Sequence, residues 1–350
     1  MPDARVQAAI ANWAPRFTSQ GVDYNDFVRT TQSLETWAEW LPAWRATGDM
    51  HAELARAAAA KGRGVSAGEA WVRATLCYHF AKFVWMVDMA QYRAAADKAV
   101  SSLYAAHRQL DPTAQRLEIP FEGITMAGNL RRPPGSAQPP LVILLPGLDS
   151  TKEEFFNWEN VFLKRGLATL SLDGPGQGET GYHSHIRPDY NVAVSTLLDW
   201  LAVRTDLNLA RVGLVGVSMG GYYAPRVAAF EPRIRAVAAI GGPYNFGECW
   251  DQLPQLTRET FVHHAGAANE AEGRERALQL SLAGVAERIS QPLLVVFGKL
   301  DRLIPWQHAE RLAAEAPHAE LVMYPDGNHV CNNLPYKYRP LVGDWLSEQL

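Results

Sequence analysis

From Leu117 onward the chain is a succession of short apolar, β-prone runs separated by glycine and proline, at 117–121, 124–131, 141–145, 168–172, 212–216, 235–240, 292–297 and 320–324. Runs of this length, bounded by turn residues, read as strands. Helical stretches separate the later ones, and strands joined through helices pair in parallel with helices covering both sheet faces. The expected class is therefore α/β, with a mostly parallel central sheet. Ahead of the first strand the texture differs. Residues 1–111 are rich in Ala, Trp, Leu and Arg with helical periodicity, and Glu69 to Asp111 holds neither Gly nor Pro. This predicts an all-helical domain over 1–112 and an α/β domain over 113–350. Between Ile240 and Leu293, residues 243–288 are mostly helical and too long for an ordinary crossover, which predicts a helical lid segment. The Ala-rich stretch 55–60 reads as a solvated helix, and no internal repeat is present.

The strand around 212–216 runs into Leu214-Val215-Gly216-Val217-Ser218-Met219-Gly220-Gly221, a G-x-S-x-G pattern followed by an Ala-rich helical stretch. At a sharp strand-to-helix turn, small residues two before and two after the serine let the chain fold tightly and hold its hydroxyl up at the sheet edge. Asp301 follows the strand ending in Phe297-Gly298, and His329 lies in the loop after Glu320-Leu321-Val322-Met323-Tyr324. The chain order Ser, Asp, His is that of α/β-hydrolases. A serine hydroxyl needs a base, and the base needs a carboxylate to fix its tautomer and stabilise the imidazolium; His329 and Asp301 take these roles. Asp326 is the rival acid, but it stands in a Pro-Asp-Gly turn, where Asp serves local hydrogen bonding. The other nine histidines, His263 and His264 among them, have no such context. The strand at 141–145 ends in Pro146-Gly147-Leu148-Asp149-Ser150, where this fold supplies one oxyanion donor, so the amides of Leu148 and Met219 are the expected pair. Gly147 also fits a plain tight turn at the same place. Ser150-Thr151-Lys152-Glu153 reads as a capping box opening a helix.

With 350 residues, 47% of them hydrophobic, the chain can bury a large core in about two domains. A net charge of −4 gives no support to nucleic-acid binding, and no apolar run approaches the roughly 20 residues of a membrane span. Met1-Pro2-Asp3-Ala4-Arg5 opens an amphipathic stretch without a signal-peptide core, from which a cytoplasmic location is expected. Cys77, Cys249 and Cys331 are few and widely spaced, fitting reduced thiols rather than disulfides or a zinc site, and no metal or organic cofactor is implied.

Trp13-Ala14-Pro15-Arg16-Phe17, Gly21-Val22-Asp23-Tyr24, the run Gly147 to Glu154 and Asp173-Gly174-Pro175-Gly176-Gln177-Gly178-Glu179 together carry a resemblance over nearly the whole chain. It resembles the α/β-hydrolase branch of the 2,6-dihydroxypseudooxynicotine hydrolases and the fungal hydrolases that shorten polyketides, related to esterases similar to fermentation-respiration switch protein. The resemblance implies an α/β-hydrolase fold with an N-terminal helical cap, a small aromatic or polyketide-like substrate, and a homodimer. It implies hydrolysis of a carbon–carbon bond in an aryl ketone or β-dicarbonyl compound. It also implies an auxiliary catalytic role for Glu248; the residue alone reads equally as a first-turn glutamate complementing a helix dipole. Tyr78, His79 and Lys82 on an apolar helix over 71–85, with Tyr182, His183 and His185 after Gly178, are candidates for the pocket wall or satisfied structural residues. A carboxylesterase or thioesterase with the same triad is the alternative, and a non-catalytic binding protein the third reading. Whether the serine or a water attacks the ketone stays open.

Overall fold

The computed structural model describes residues 3–350, so the opening Met1 and Pro2 lie outside the described residues. The chain divides into two compact units: a helical one, up to Ala114 and including the strip Glu153–Trp158, and an α/β one, Gln115–Lys152 with Glu159–Leu350.

The helical unit holds α1 (Ala4–Gln20), α2 (Tyr24–Thr31), α3 (Trp40–Ala60), α4 (Gly64–Ala81) and α5 (Met89–Leu110). Aspartates start three of them: the side chains of Asp3, Asp23 and Asp88 accept first-turn amide hydrogens of α1, α2 and α5. Its core is aromatic. Phe17 stacks on Phe80 at 3.8 Å and meets Phe27, Trp40 and Phe83 edge-on, and the buried Trp40 indole donates to the Phe80 carbonyl. The helix expected over 71–85 ends earlier, at Ala81. Val84 turns the chain with φ of 40°, and Trp85 is carried into the core, where its indole donates to Trp37 O at 2.8 Å. Burial of that indole outweighs helix propensity at the end of the run.

The strip Glu153–Trp158 groups with these helices through a buried charge cluster. Glu154 accepts from Arg16 at 2.8 and 2.9 Å and from Gln20 at 3.0 Å, and faces His79 Nε2 at 3.1 Å. A carboxylate so deeply buried survives only with such partners. Burial raises its pKa, but Arg16 and His79 more than offset this and hold it well below the usual value.

The α/β unit is built on β1 (Gln115–Phe121), β2 (Ile124–Arg131), β3 (Pro140–Leu145), β4 (Ala168–Asp173), β5 (Asn208–Val217), β6 (Ile234–Ile240), β7 (Leu293–Gly298) and β8 (Ala319–Tyr324). The eight form one sheet in the order β1-β2-β4-β3-β5-β6-β7-β8. β1/β2 and β2/β4 are antiparallel, and every later pair is parallel. Each expected strand is present within a few residues of its expected ends. β3, β6 and β7 are mainly apolar runs buried almost throughout, as strands covered on both faces must be, and β4 is buried throughout although Thr169, Ser171 and Asp173 alternate along it. Helices α6 (Phe156–Leu163), α7 (Asn191–Leu201), α8 (Gly220–Phe230), α9 (Gln255–His264), α10 (Glu270–Leu278), α11 (Gln307–Glu315) and α12 (Pro335–Gln349) complete the chain. Segment 243–288 consists of α9, α10 and two 3-10 turns, and it packs Phe246, Trp250 and Phe261 into the main core. Among the described residues no helix is long and apolar enough to cross a membrane.

Two loops at the C-terminal ends of β3 and β4 are tied by a buried ammonium. Lys152 Nζ donates to Asp173 at 2.8 Å and to Glu179 at 2.5 Å, while the Lys152 amide donates to the other Asp173 oxygen. That carboxylate thus holds Lys152, which opens the 3-10 turn Lys152–Phe155 ahead of α6. Burial raises the Glu179 pKa, but Arg116 and Lys152 outweigh it and bring the carboxyl from the usual 4.5 to about 2. Its stabilising contribution is then complete above pH 4.5 and is lost as pH falls toward 2. Glu179→Gln is therefore expected to lower the melting temperature at pH 6, with the deficit closing between pH 4.5 and 2 in a series of thermal melts. A deficit independent of pH would refute the ion-pair account.

Candidate active site

Ser218 occupies the turn between β5 and α8 with φ of 54°, left-handed backbone that a residue with a Cβ rarely adopts. The turn closes only because its neighbours lack side chains. A Cβ on Gly216 would lie 1.9 Å from the Gly220 carbonyl oxygen, and one on Gly220 would lie 2.1 Å from that of Leu145. The Ser218 amide donates to Ile240 O on β6 at 2.9 Å, fixing the turn to the sheet.

His329 lies on a 3-10 turn, His329–Cys331, after β8; Val330 and Cys331 have φ of 59° and 53°. Its Nε2 is 2.9 Å from Ser218 Oγ and its Nδ1 is 2.7 Å from Asp301 Oδ2. An ionised carboxylate only accepts, so Nδ1 carries the hydrogen and Nε2 faces the hydroxyl as acceptor. Asp301 is itself fixed, since its Oδ1 accepts from the amides of Leu303 at 2.8 Å and Ile304 at 3.1 Å. The rival Asp326 has a side chain 59% exposed and pairs with Lys337 at 3.5 Å. The arrangement thus joins into one relay three residues that are distant in the chain, His329 lying 28 positions from Asp301 and 111 from Ser218.

The Gly147–Leu148 segment runs beside the serine: a Cβ built on Gly147 would be 3.1 Å from Ser218 Cβ. Met219 is the N-cap of α8. Among the described residues neither the Leu148 nor the Met219 amide donates to a backbone carbonyl. Gln177, quoted above only as part of a motif, is fully buried and donates to Pro146 O at 2.7 Å and Gly147 O at 3.1 Å.

Other expected site residues are placed differently. Glu248 is not brought to the triad. It is exposed on the 3-10 turn Gly247–Gln252, its carboxylate lies 3.6 Å from Arg311, and no hydrogen bond joins it to Ser218, Asp301 or His329 among the described residues. The turn directs Cys249 and Trp250 inward, which leaves Glu248 facing out. Tyr78 donates to Asp49 at 2.6 Å, His79 is held by Glu154, and the Lys82 ammonium is buried 5.5 Å from the centre of the Tyr92 ring. Burial, with the Lys82 charge, lowers the His79 pKa and keeps that imidazole neutral. The partners named for all three lie within the helical unit. Tyr182 is half-buried on the 3-10 turn Thr180–Tyr182, whereas His183 and His185 are exposed and line a cavity of about 330 Å³ with Phe121, Ile124 and Pro175. Asp173 and Glu179, the clustered acids of this unit, already hold the Lys152 ammonium. Burial pushes the thiols of Cys249 and Cys331 up to about 12, so both stay protonated.

Sheet order, the turn at Ser218 and the Ser218–His329–Asp301 relay define the class as α/β-hydrolase. The family model described as "Esterase FrsA-like" matches residues 19–349, and the chain belongs to that family. It is 34% identical over 343 residues, 97% of this chain and 92% of the relative, to the 2,6-dihydropseudooxynicotine hydrolase of Paenarthrobacter nicotinovorans. It is 30% identical to an alpha/beta hydrolase, xenA, of Xenoacremonium sinensis over 77% of this chain and 70% of that one. The crystal structure of the 2,6-dihydroxy-pseudo-oxynicotine hydrolase superposes with a TM-score of 0.89 at 32% identity, covering 97% of this chain and 96% of that chain. The chain is a hydrolase.

Replacing Asp301 by Asn frees the imidazole to take the wrong tautomer, so kcat is expected to fall by about 10⁴-fold with KM little changed. Asp326→Asn is expected to stay within twofold of wild type; steady-state kinetics on any turned-over substrate compares them, and equal losses in the two would overturn the choice of acid.

Proposed function

We propose that this protein hydrolyses a carbon–carbon bond next to a carbonyl in an aryl ketone or β-dicarbonyl compound, with Ser218 as nucleophile, His329 as base and acid, and Asp301 as its orienting carboxylate. The observation that carries the reading is the hydrogen-bonded relay from Asp301 through His329 to Ser218, 2.7 and 2.9 Å long, in a chain alike over nearly its full length to a hydrolase named for a pseudooxynicotine.

In the proposed sequence Ser218 gives its proton to His329 Nε2 as its oxygen bonds to the carbonyl carbon. The charge that develops on the carbonyl oxygen falls to the amides of Leu148 and Met219. Collapse breaks the carbon–carbon bond, and the leaving carbon keeps the electron pair. An electron-rich ring or a second carbonyl delocalises that pair until the carbon takes the proton from imidazolium. Water, deprotonated by His329, then cleaves the acyl–serine ester to release a carboxylic acid and restore the hydroxyl. The proton transfers use Ser218, His329 and Asp301, which already lie within hydrogen-bond reach of one another. Glu248, ion-paired with Arg311 and exposed, has no part in this sequence.

The esterase reading has support in the family description itself. The two readings diverge in substrate. Wild type is expected to cleave a 2,6-dihydroxypyridyl ketone or a β-diketone with kcat/KM at least tenfold above that for p-nitrophenyl butyrate, Ser218→Ala to lose about 10⁶ in kcat, and Glu248→Gln to act as wild type. Turnover of the ester alone would make the protein a carboxylesterase.

The protein is further proposed to be cytoplasmic and homodimeric. Three buried, unpaired cysteines suit a reducing compartment. The dimer rests on the resemblance, and sedimentation equilibrium is expected to give twice the mass of one chain.

A further inference from the structure

We infer that Gln177 is a positioning residue: its side-chain amide orients the Gly147–Leu148 peptide so that the Leu148 N–H points at the oxygen that becomes charged during the reaction. The inference rests on the serine-hydrolase reading above.

Gln177 follows β4 and is 1% exposed. All four of its hydrogen-bonding positions are used. Its Oε1 accepts from the Gly174 amide at 3.1 Å and the Tyr190 hydroxyl at 2.7 Å, and its Nε2 donates to Pro146 O and Gly147 O. The direction of the side-chain amide is settled by its neighbours. A backbone N–H only donates and two carbonyls only accept, so the oxygen must face Gly174 and the nitrogen must face Pro146 and Gly147.

The consequence lies one bond further. Gly147 O and Leu148 N belong to one peptide unit, which is trans, as is every peptide bond described. In a trans peptide the carbonyl and the N–H point in opposite directions. A donor holding the Gly147 carbonyl therefore turns the Leu148 N–H away from Gln177. It also polarises the unit, which strengthens that N–H as a donor. The peptide passes beside the nucleophile, since a Cβ on Gly147 would be 3.5 Å from Ser218 Oγ.

Tyr190 completes the chain of support. It stacks on Tyr223 with ring centres 4.0 Å apart, is fully buried, and keeps its proton because burial raises its pKa well above the usual value. A Cβ on Gly174 would collide with its hydroxyl at 2.1 Å, so the glycine lets the ring come close enough to reach Gln177. Tyr190 thus fixes Gln177, Gln177 fixes the peptide, and the peptide aims the donor.

The test uses the full-length protein and three readouts: labelling of Ser218 by a fluorophosphonate, inhibition by a trifluoromethyl ketone whose serine adduct bears the oxyanion, and thermal melting. Loss of one oxyanion donor lowers turnover by about 10² to 10³. A misaimed donor in Gln177→Met is therefore expected to slow labelling and weaken the trifluoromethyl ketone by about 30-fold or more, with KM within threefold of wild type. Tyr190→Phe, which leaves both Gln177 donors in place, is expected to lose about threefold to tenfold in the same two readouts. Labelling and inhibition within threefold of wild type in a folded Gln177→Met overturn the assignment. If that variant does not fold, Tyr190→Phe decides, and an unchanged labelling rate overturns it. A wild type that resists the fluorophosphonate instead overturns the serine-nucleophile reading, and this inference with it.

Discussion

The left-handed turn at Ser218 is the constraint on which the rest of the site depends. Holding a residue with a Cβ at φ of 54° costs on the order of 1–3 kcal/mol unless surroundings leave the chain no other path. Here they do. β5 ends against β3 and β6, α8 begins within two residues, and the chain is packed so closely that a Cβ on Gly216 or Gly220 would collide with a backbone oxygen. The serine is thus held by packing together with its backbone hydrogen bond to Ile240, and its hydroxyl stays in register with an imidazole that arrives from a distant loop. His329 depends on a second strained stretch, Val330 and Cys331, so both halves of the nucleophile–base contact are fixed by left-handed backbone.

Around that contact the polar groups form two kinds of structure. Asp301, His329 and Ser218 make a relay open to change, in which a proton has somewhere to go. Lys152 with Asp173 and Glu179, and Gln177 with Tyr190 and Gly174, are closed clusters in which every partner is committed. Closed clusters of this kind are expensive to disturb, because removing one member leaves another buried without a partner. Rigidity of the loops after β3 and β4 follows from them.

Much of this was legible before the structure. Strand positions followed from runs of apolar residues cut by Gly and Pro, because strands covered on both faces admit little else. Ser218, Asp301 and His329 were legible because each stands just past a strand and their chain order has one structural meaning. What stayed hidden depended on approach in three dimensions. The end of α4 at Ala81 is set by the destination of Trp85, not by any helix breaker. Glu248 faces outward because a 3-10 turn rotates successive side chains differently from an α-helix, and no pattern in 241–250 announces which turn forms. Gln177 was visible only as a letter in a glycine-rich motif, since its partners are carbonyls 30 and 31 positions earlier.

The strip Glu153–Trp158 bears on how such a protein can be rebuilt or can diverge. By sequence the helices look like a prefix, separable at one cut near residue 114. By packing they are not, because Glu154 lies among Arg16, Gln20 and His79, and Asn157 donates to the Gln20 carbonyl. A chain stripped of its first 114 residues would keep a buried carboxylate with Arg16 and its other hydrogen-bond partners gone and the rings of Phe155, Phe156 and Trp158 without a core. Exchange of helical units between relatives is thus a two-site graft, prefix and strip together, and that requirement ties the diversity of the helices to a short stretch just four residues downstream of Leu148–Asp149.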